Sequence, residues 1–220
     1  MCDYVSENKL KGYGGPKDTF NDWITEVHRI LRKKHIRFDC NLIGSGSRHM
    51  VVQNCNENGY FDLDYQIILT KYPVDMKPKK IKDLFRNAFN NSKPSGFKDM
   101  KDRTQSLRTK DLNRGYGYDV IITRFDEDEA FYILYNDKDD NSANNFDYSW
   151  KPRKEMNEYR ERFERVKSDP KMYAYLRDLY LDRRHEHKDD QQPNKKKSYQ
   201  LLNEAVVETL EAFGIKNYPR

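Results

Sequence analysis

Apolar residues first recur at helical spacing at Phe20, Trp23, Ile24, Val27, Ile30 and Leu31, which predicts an amphipathic helix with Asp18 or Thr19 capping its start. Before it, residues 1–17 carry Gly12, Gly14, Gly15 and Pro16 and read as an irregular lead-in. The period then changes. Residues 36–43 alternate as a strand ending at Gly44, and residues 60–70 form a second strand rich in β-branched and aromatic side chains. Pro78–Asn91 reads as a short basic helix, broken by Pro94 and Gly96, after which a poorly patterned stretch runs to Asn113. Tyr116–Phe125 is a third strand, turned by Asp126-Glu127-Asp128 into a fourth over residues 129–135, as in a hairpin. Residues 136–149 lack apolar periodicity and read as a polar loop.

From Pro152 the pattern is helical. Met156, Tyr159, Phe163 and Val166 make one stripe, and Glu158–Arg162 and Glu161–Arg165 are i,i+4 pairs on the exposed side. Asp169-Pro170 opens a further helix through Met172, Tyr175, Leu176 and Leu179. A polar linker over residues 183–196 leads to a last helix bearing Leu202, Ala205, Val206, Thr209, Leu210 and Phe213. Strands come early and helices late. The fold class is therefore α+β, with a sheet-bearing lobe over residues 18–150 and a helical lobe over residues 151–220.

Composition changes this picture only in part. The 220 residues are 36% apolar and 35% charged, but 16 Tyr and 11 Phe spread along the chain supply bulk for a core. The net charge of +5 is unevenly placed: residues 71–114 hold thirteen Lys/Arg against five Asp/Glu, while residues 126–147 hold eight acids against one Lys. The basic segment is either a solvated surface or a face for nucleic acid. Cys2, Cys40 and Cys55 contain no C-x-x-C pair, which argues against a disulfide framework or a zinc knuckle. The polar N-terminus, and the lack of any apolar run of membrane-spanning length, predict a soluble cytoplasmic protein with no membrane partner. His185-Glu186-His187, near Asp189 and Asp190, has no defining ligand spacing and reads as a solvated turn.

The chemistry concentrates on three aspartates. Asp62 and Asp64 lie two apart on a strand and so project from one face, with Leu63, Ile67 and Leu69 on the other. Two like charges side by side repel, and divalent cations with hard oxygen ligands remove that cost. Upstream, Gly44-Ser45-Gly46-Ser47 is a small-residue turn, read as feeding a helix over residues 48–52, that presents backbone N–H groups and hydroxyls to a phosphate. The lysine of a Walker loop is absent. Asp119, a lone charge in an apolar strand, is the candidate third acid if its strand lies beside that of Asp62 and Asp64.

The order strand, Gly-Ser turn, D-x-D strand and later strand with one acid resembles the polymerase-β-like nucleotidyltransferase superfamily over residues 18–135. Gly44, Ser45, Asp62, Asp64 and Asp119 occupy its key positions; the sixteen residues between Ser45 and Asp62 exceed the usual spacing, and residues 54–59 look like an inserted turn. In layout the chain is most similar to the branch of oligoadenylate synthases and bacterial cyclic-dinucleotide synthases. Trp150-Lys151-Pro152 matches that branch's entry to its helical lobe, and Lys197-Ser198-Tyr199 its late segment, in which lysine and serine touch the triphosphate and tyrosine approaches the base. Read from its residues alone, the lysine run at 195–197 is either a nucleic-acid patch or a helix-start phosphate site.

The resemblance implies a small mixed sheet with flanking helices and a helical lobe after it. It also implies two Mg²⁺ or Mn²⁺ ions on Asp62, Asp64 and Asp119, and transfer of a nucleotidyl group from a nucleoside triphosphate to a hydroxyl, with Ser45 and Ser47 steadying the phosphates and Arg48 as their charge partner. The acceptor is open: another nucleotide, giving a cyclic or linear product, or AMP transfer to a small molecule or protein. For a nucleotide acceptor, Tyr116, Tyr118 or Tyr199 would stack on the base. The branch's other triphosphate lysine is missing, with Tyr180 near its place and Arg177 or Arg183 as substitutes. From a different class, the chain is a non-catalytic module of the same fold that binds nucleic acid.

Overall fold

A computed structural model of the chain describes residues 3–12, 14–53, 59–126, 130–138, 146–153, 157–187 and 196–215. These fall into two compact units, one of Val5–Val51 with Tyr60–Lys154, the other of Met1–Tyr4 and Val52–Gly59 with Glu155–Arg220.

The sheet unit begins with α1 (Glu7–Lys11), a helix where an irregular lead-in was expected. Ser6 caps it by accepting from the Lys9 N–H, and its Leu10 is buried. The helix of the Phe20–Leu31 stripe runs as α2 (Pro16–Arg32). Neither Asp18 nor Thr19 caps it. Proline, which lacks an N–H to satisfy, takes the first position after Gly15.

The sheet has seven strands: β1 (Arg37–Ile43), β2 (Phe61–Lys71), β3 (Lys101–Asp102), β4 (Ser106–Asp111), β5 (Tyr116–Phe125), β6 (Phe131–Lys138) and β7 (Phe146–Pro152). Their order is β1-β2-β5-β4-β3, with β6 joining β5 and β7 joining β6. Among the described residues only β2 and β5 pair in parallel, which makes the sheet mixed, as expected. The helix α4 (Pro78–Asn91) spans its expected range.

Alternation in β2 sends Phe61, Leu63, Tyr65, Ile67 and Leu69 to one buried face. Against that face α2 packs Phe20, stacked on Tyr65 at 3.6 Å between ring centroids, and Trp23, whose indole N–H donates to the Phe89 carbonyl of α4 at 3.0 Å. Tyr116 and Tyr118 of β5 turn the same way and are buried. The Tyr118 hydroxyl donates to the Pro16 carbonyl at 2.6 Å, so neither ring is available to stack on a base.

Three stretches differ from expectation. Residues 48–52 are not helical; the helical turn is α3 (Gly44–Ser47) itself. The poorly patterned stretch contains β3 and β4, and the polar loop contains β7, with Trp150, Lys151 and Pro152 as strand residues rather than the start of a helix. The turn at residues 127–129, the loop core at 139–145, Met156, Asp189, Asp190, Cys2 and Cys55 lie outside the described residues.

The second unit packs α5 (Asn157–Lys167), α6 (Pro170–Glu186) and α7 (Ser198–Ala212) on one another. Asp169 caps α6, accepting from the N–H groups of Lys171 and Met172 at 2.8 and 3.2 Å. Phe163, Val166, Leu176, Leu202, Ala205 and Val206 are among its buried residues. Among the described residues, no helix is long and apolar enough to cross a membrane.

Candidate active site

On the face of β2 opposite the core stand Asp62, Asp64 and Gln66, each half-buried. The parallel register with β5 places Asp64 level with Asp119 and Asp62 level with Gly117. The three aspartates expected to converge thus share one face of two neighbouring strands.

Two glycines make room for them. A Cβ on Gly117 would lie 2.1 Å from the Tyr60 hydroxyl, 2.5 Å from the Thr109 carbonyl and 2.7 Å from Asp62 Oδ1. Its absence lets Tyr60 donate to Asp62 Oδ1 at 2.6 Å. At Gly44 the backbone has φ of +63°, and a Cβ there would meet Asp64 Oδ2 at 2.5 Å. The Gly-Ser turn is therefore packed directly on Asp64. It is closed by the Met50 N–H donating to the Ser45 carbonyl at 2.9 Å and by the Ser47 hydroxyl donating to the Gly44 carbonyl at 3.0 Å. Ser47, expected to offer its proton to a phosphate, uses it inside the turn.

The electrostatics are asymmetric. Burial pushes the Asp64 carboxyl up to about 7, with Asp119 and Asp62 adding repulsion and Arg108 and Arg48 opposing it. Among the described residues, its carboxylate takes part in no hydrogen bond or ion pair. Asp62 is also raised, by burial first, against the hydrogen bond from Tyr60 and the charge of Arg108.

Asp119 is fully engaged by β4. Ser106 donates to its Oδ1 at 3.0 Å and Arg108 Nε to its Oδ2 at 2.8 Å, with Arg108 Nη2 on the same oxygen. That guanidinium also reaches Asp62 Oδ2 at 3.5 Å. Sequence reasoning missed Arg108 because it missed β4. The signal was the alternation in Ser106–Asp111, where Leu107, Thr109 and Asp111 are buried and Arg108 and Lys110 are exposed.

The donor set suits a hard divalent cation: three carboxylates on one face, one of them without a cation partner and the other two already sharing a guanidinium. As the side chains stand, no three His, Cys, Asp or Glu among the described residues, His185-Glu186-His187 included, are gathered to hold a metal ion. Release of Asp119 and Asp62 from Arg108 would free the oxygens for one.

In the second unit, Lys197 is the N-cap of α7, Ser198 opens the helix, and Tyr199 is 57% exposed. The Ser198 hydroxyl accepts from Arg184, which also donates to the Tyr180 hydroxyl at 3.4 Å. Arg183 is paired with Glu208 and Glu186, and Arg177 lies 4.2 Å over the Tyr4 ring. The arginine that meets this segment is therefore Arg184, not Arg177 or Arg183. Cys40, half-buried on β1, has its thiol pushed up to about 12 by burial, which leaves it protonated and unreactive.

No protein-family model matches the chain, and no curated protein matches its sequence. Solved structures do. Vibrio cholerae DncV in its GTP-bound form matches with a TM-score of 0.61 at 12% identity, over 94% of this chain and 52% of its own. The Vibrio cholerae DncV cyclic AMP-GMP synthase in complex with the linear intermediate 5′ pppA(3′,5′)pG gives a TM-score of 0.59 at 13% identity, over 79% and 47%. Escherichia coli DncV, 3′-deoxy GTP bound, gives 0.59 at 10%, over 94% and 54%. The chain spans about half the length of these proteins. At such identities the likeness is one of fold: in fold the chain is similar to these bacterial DncV proteins, among them a cyclic AMP-GMP synthase.

Proposed function

We propose that the chain is a metal-dependent nucleotidyltransferase that moves a nucleoside monophosphate from a nucleoside triphosphate to a hydroxyl, with a second nucleotide as acceptor. The observation that carries this reading is the shared face of Asp62, Asp64 and Asp119, with the Gly44 backbone packed against Asp64. The fold likeness to a synthase crystallised with nucleotides and a linear dinucleotide supports it. Catalysis belongs to the lobe over residues 18–150, followed by the helical lobe over residues 151–220.

Asp62 and Asp64 would hold one Mg²⁺ or Mn²⁺ ion, and Asp119 would share the second. When bound, such ions neutralise the triphosphate and leaving pyrophosphate and lower the pKa of the attacking hydroxyl. The protein's own groups do the rest. Tyr60 fixes the Asp62 carboxylate through its hydroxyl, so one oxygen stays oriented. The turn Gly44–Ser47 offers Ser45 and backbone N–H groups to the phosphates beside Asp64, with the charge of Arg48 acting on the same place. Asp119, once released from Ser106 and Arg108, is assigned the acceptor's proton. Lys197, Ser198 and Tyr199 are assigned to the triphosphate and the base, with Arg184 beside Ser198 supplying the cation for which Arg177 and Arg183 are engaged elsewhere.

The test is direct. Asp62→Asn and Asp64→Asn lose at least about 10³-fold in turnover, because each removes a charged ligand where transition-state charge develops, while the far-ultraviolet circular dichroism is unchanged. Mg²⁺-dependent turnover surviving in the double variant contradicts the assignment.

A further inference from the structure

Arg108 stands where the proposed chemistry needs a metal. Register pairs it with Asp119 across β4 and β5, and its guanidinium bonds Asp119 Oδ2 through Nε at 2.8 Å and reaches Asp62 Oδ2 at 3.5 Å. Two of the three carboxylates therefore share one fixed positive charge. The side chain is 44% exposed, so it can leave those oxygens without opening the core. A guanidinium and a divalent cation cannot occupy the same lone pairs, because they compete for one charge and repel each other.

Building on the proposed nucleotidyl transfer, we infer that Arg108 is a positioning residue, an internal counter-ion that a divalent cation must displace from Asp119 and Asp62. We further infer that an incoming nucleoside triphosphate drives the exchange by offering its phosphates to the freed guanidinium. In the free protein Arg108 offsets part of the charge of two half-buried carboxylates and keeps them aligned. With nucleotide present, the same guanidinium meets a phosphate, with which it forms charge-assisted hydrogen bonds at least as favourable as those it gives up. Metal binding is thereby weak before the nucleotide arrives and strong after it. A purely structural ion pair behaves differently: its removal loosens β4 from β5 and leaves metal affinity no better.

The experiment measures Mn²⁺ affinity from the free-ion electron paramagnetic resonance signal, for the wild type, Arg108→Ala and Arg108→Gln, with and without a non-hydrolysable nucleoside triphosphate. Without nucleotide, both variants bind Mn²⁺ about tenfold or more tighter than the wild type, the scale of one charge-assisted hydrogen bond released. The nucleotide then raises Mn²⁺ affinity more in the wild type than in either variant. Arg108→Gln, close in shape and neutral, carries the comparison if Arg108→Ala does not fold. Unchanged or weaker Mn²⁺ binding in a folded variant overturns the role of Arg108 while leaving the metal site intact. Absence of Mn²⁺ binding in all three proteins, with and without nucleotide, overturns the metal reading and this inference together.

Discussion

Gly117 has no side chain, yet it sets the position of Asp62. It lies level with Asp62 on the neighbouring strand, and a single added carbon would collide with the Tyr60 hydroxyl, Asp62 and the Thr109 carbonyl at once. The last of these is backbone and cannot swing aside. Gly117→Ala is therefore expected to cost about 1–3 kcal/mol of stability as overpacking and to lower turnover further by breaking the Tyr60–Asp62 hydrogen bond; urea unfolding and an activity assay check both. Wild-type values for the two would contradict this account of the glycine. The aspartates themselves were legible in the sequence, because two-residue spacing on a strand fixes a common face. Their surroundings were not. Which side of a strand faces the core is a tertiary fact, so Tyr116 and Tyr118 read as base-stacking candidates and proved to be core.

Behind the face that carries the three aspartates, α4, β3 and β7 are tied by a buried charge. Lys82 of α4, 2% exposed, pairs with Asp102 of β3 at 2.7 Å and donates to the Arg103 carbonyl at 2.7 Å. Tyr148 of β7 donates to the other Asp102 oxygen at 2.8 Å. Burial lowers the Lys82 pKa and Asp102 opposes the shift, which marks an ion pair taken out of water. Removing Asp102 strands the ammonium; Asp102→Ala is expected to cost about 3–5 kcal/mol. Lys82→Met should cost less, because Asp102 keeps Tyr148 and some solvent contact while methionine fills the same space. Urea unfolding of both variants checks the order, and the reverse order contradicts it. The helix α4 was legible over Pro78–Asn91, with Pro94 and Gly96 breaking it beyond. Lys82, one lysine of a basic helix, reads as a surface residue. The strand β4 escaped because two of its inward positions, Thr109 and Asp111, are polar and mask the alternation that Leu107 begins.

At the scale of the molecule, part of the charge that looks like a nucleic-acid surface is spent on ion pairs within the chain. Of the thirteen basic residues over 71–114, Lys79, Lys82, Arg86, Lys93, Arg108 and Arg114 are each paired with an acid of the chain. The α+β class and the late helical unit were readable from the order of periods along the chain, and the mixed sheet only from the resemblance. The division into units was not, since it depends on long-range contacts such as the bridge between Tyr4 and Val52. The claim that matters most is nucleotidyl transfer between nucleotides. Its most direct test incubates the protein with each α-phosphate-labelled nucleoside triphosphate, singly and in pairs, with Mg²⁺ or Mn²⁺ and no added acceptor, and resolves the products by chromatography. The account predicts a new labelled dinucleotide or oligonucleotide that requires the metal and disappears in Asp64→Asn. Label that stays in the triphosphate under every condition would contradict it.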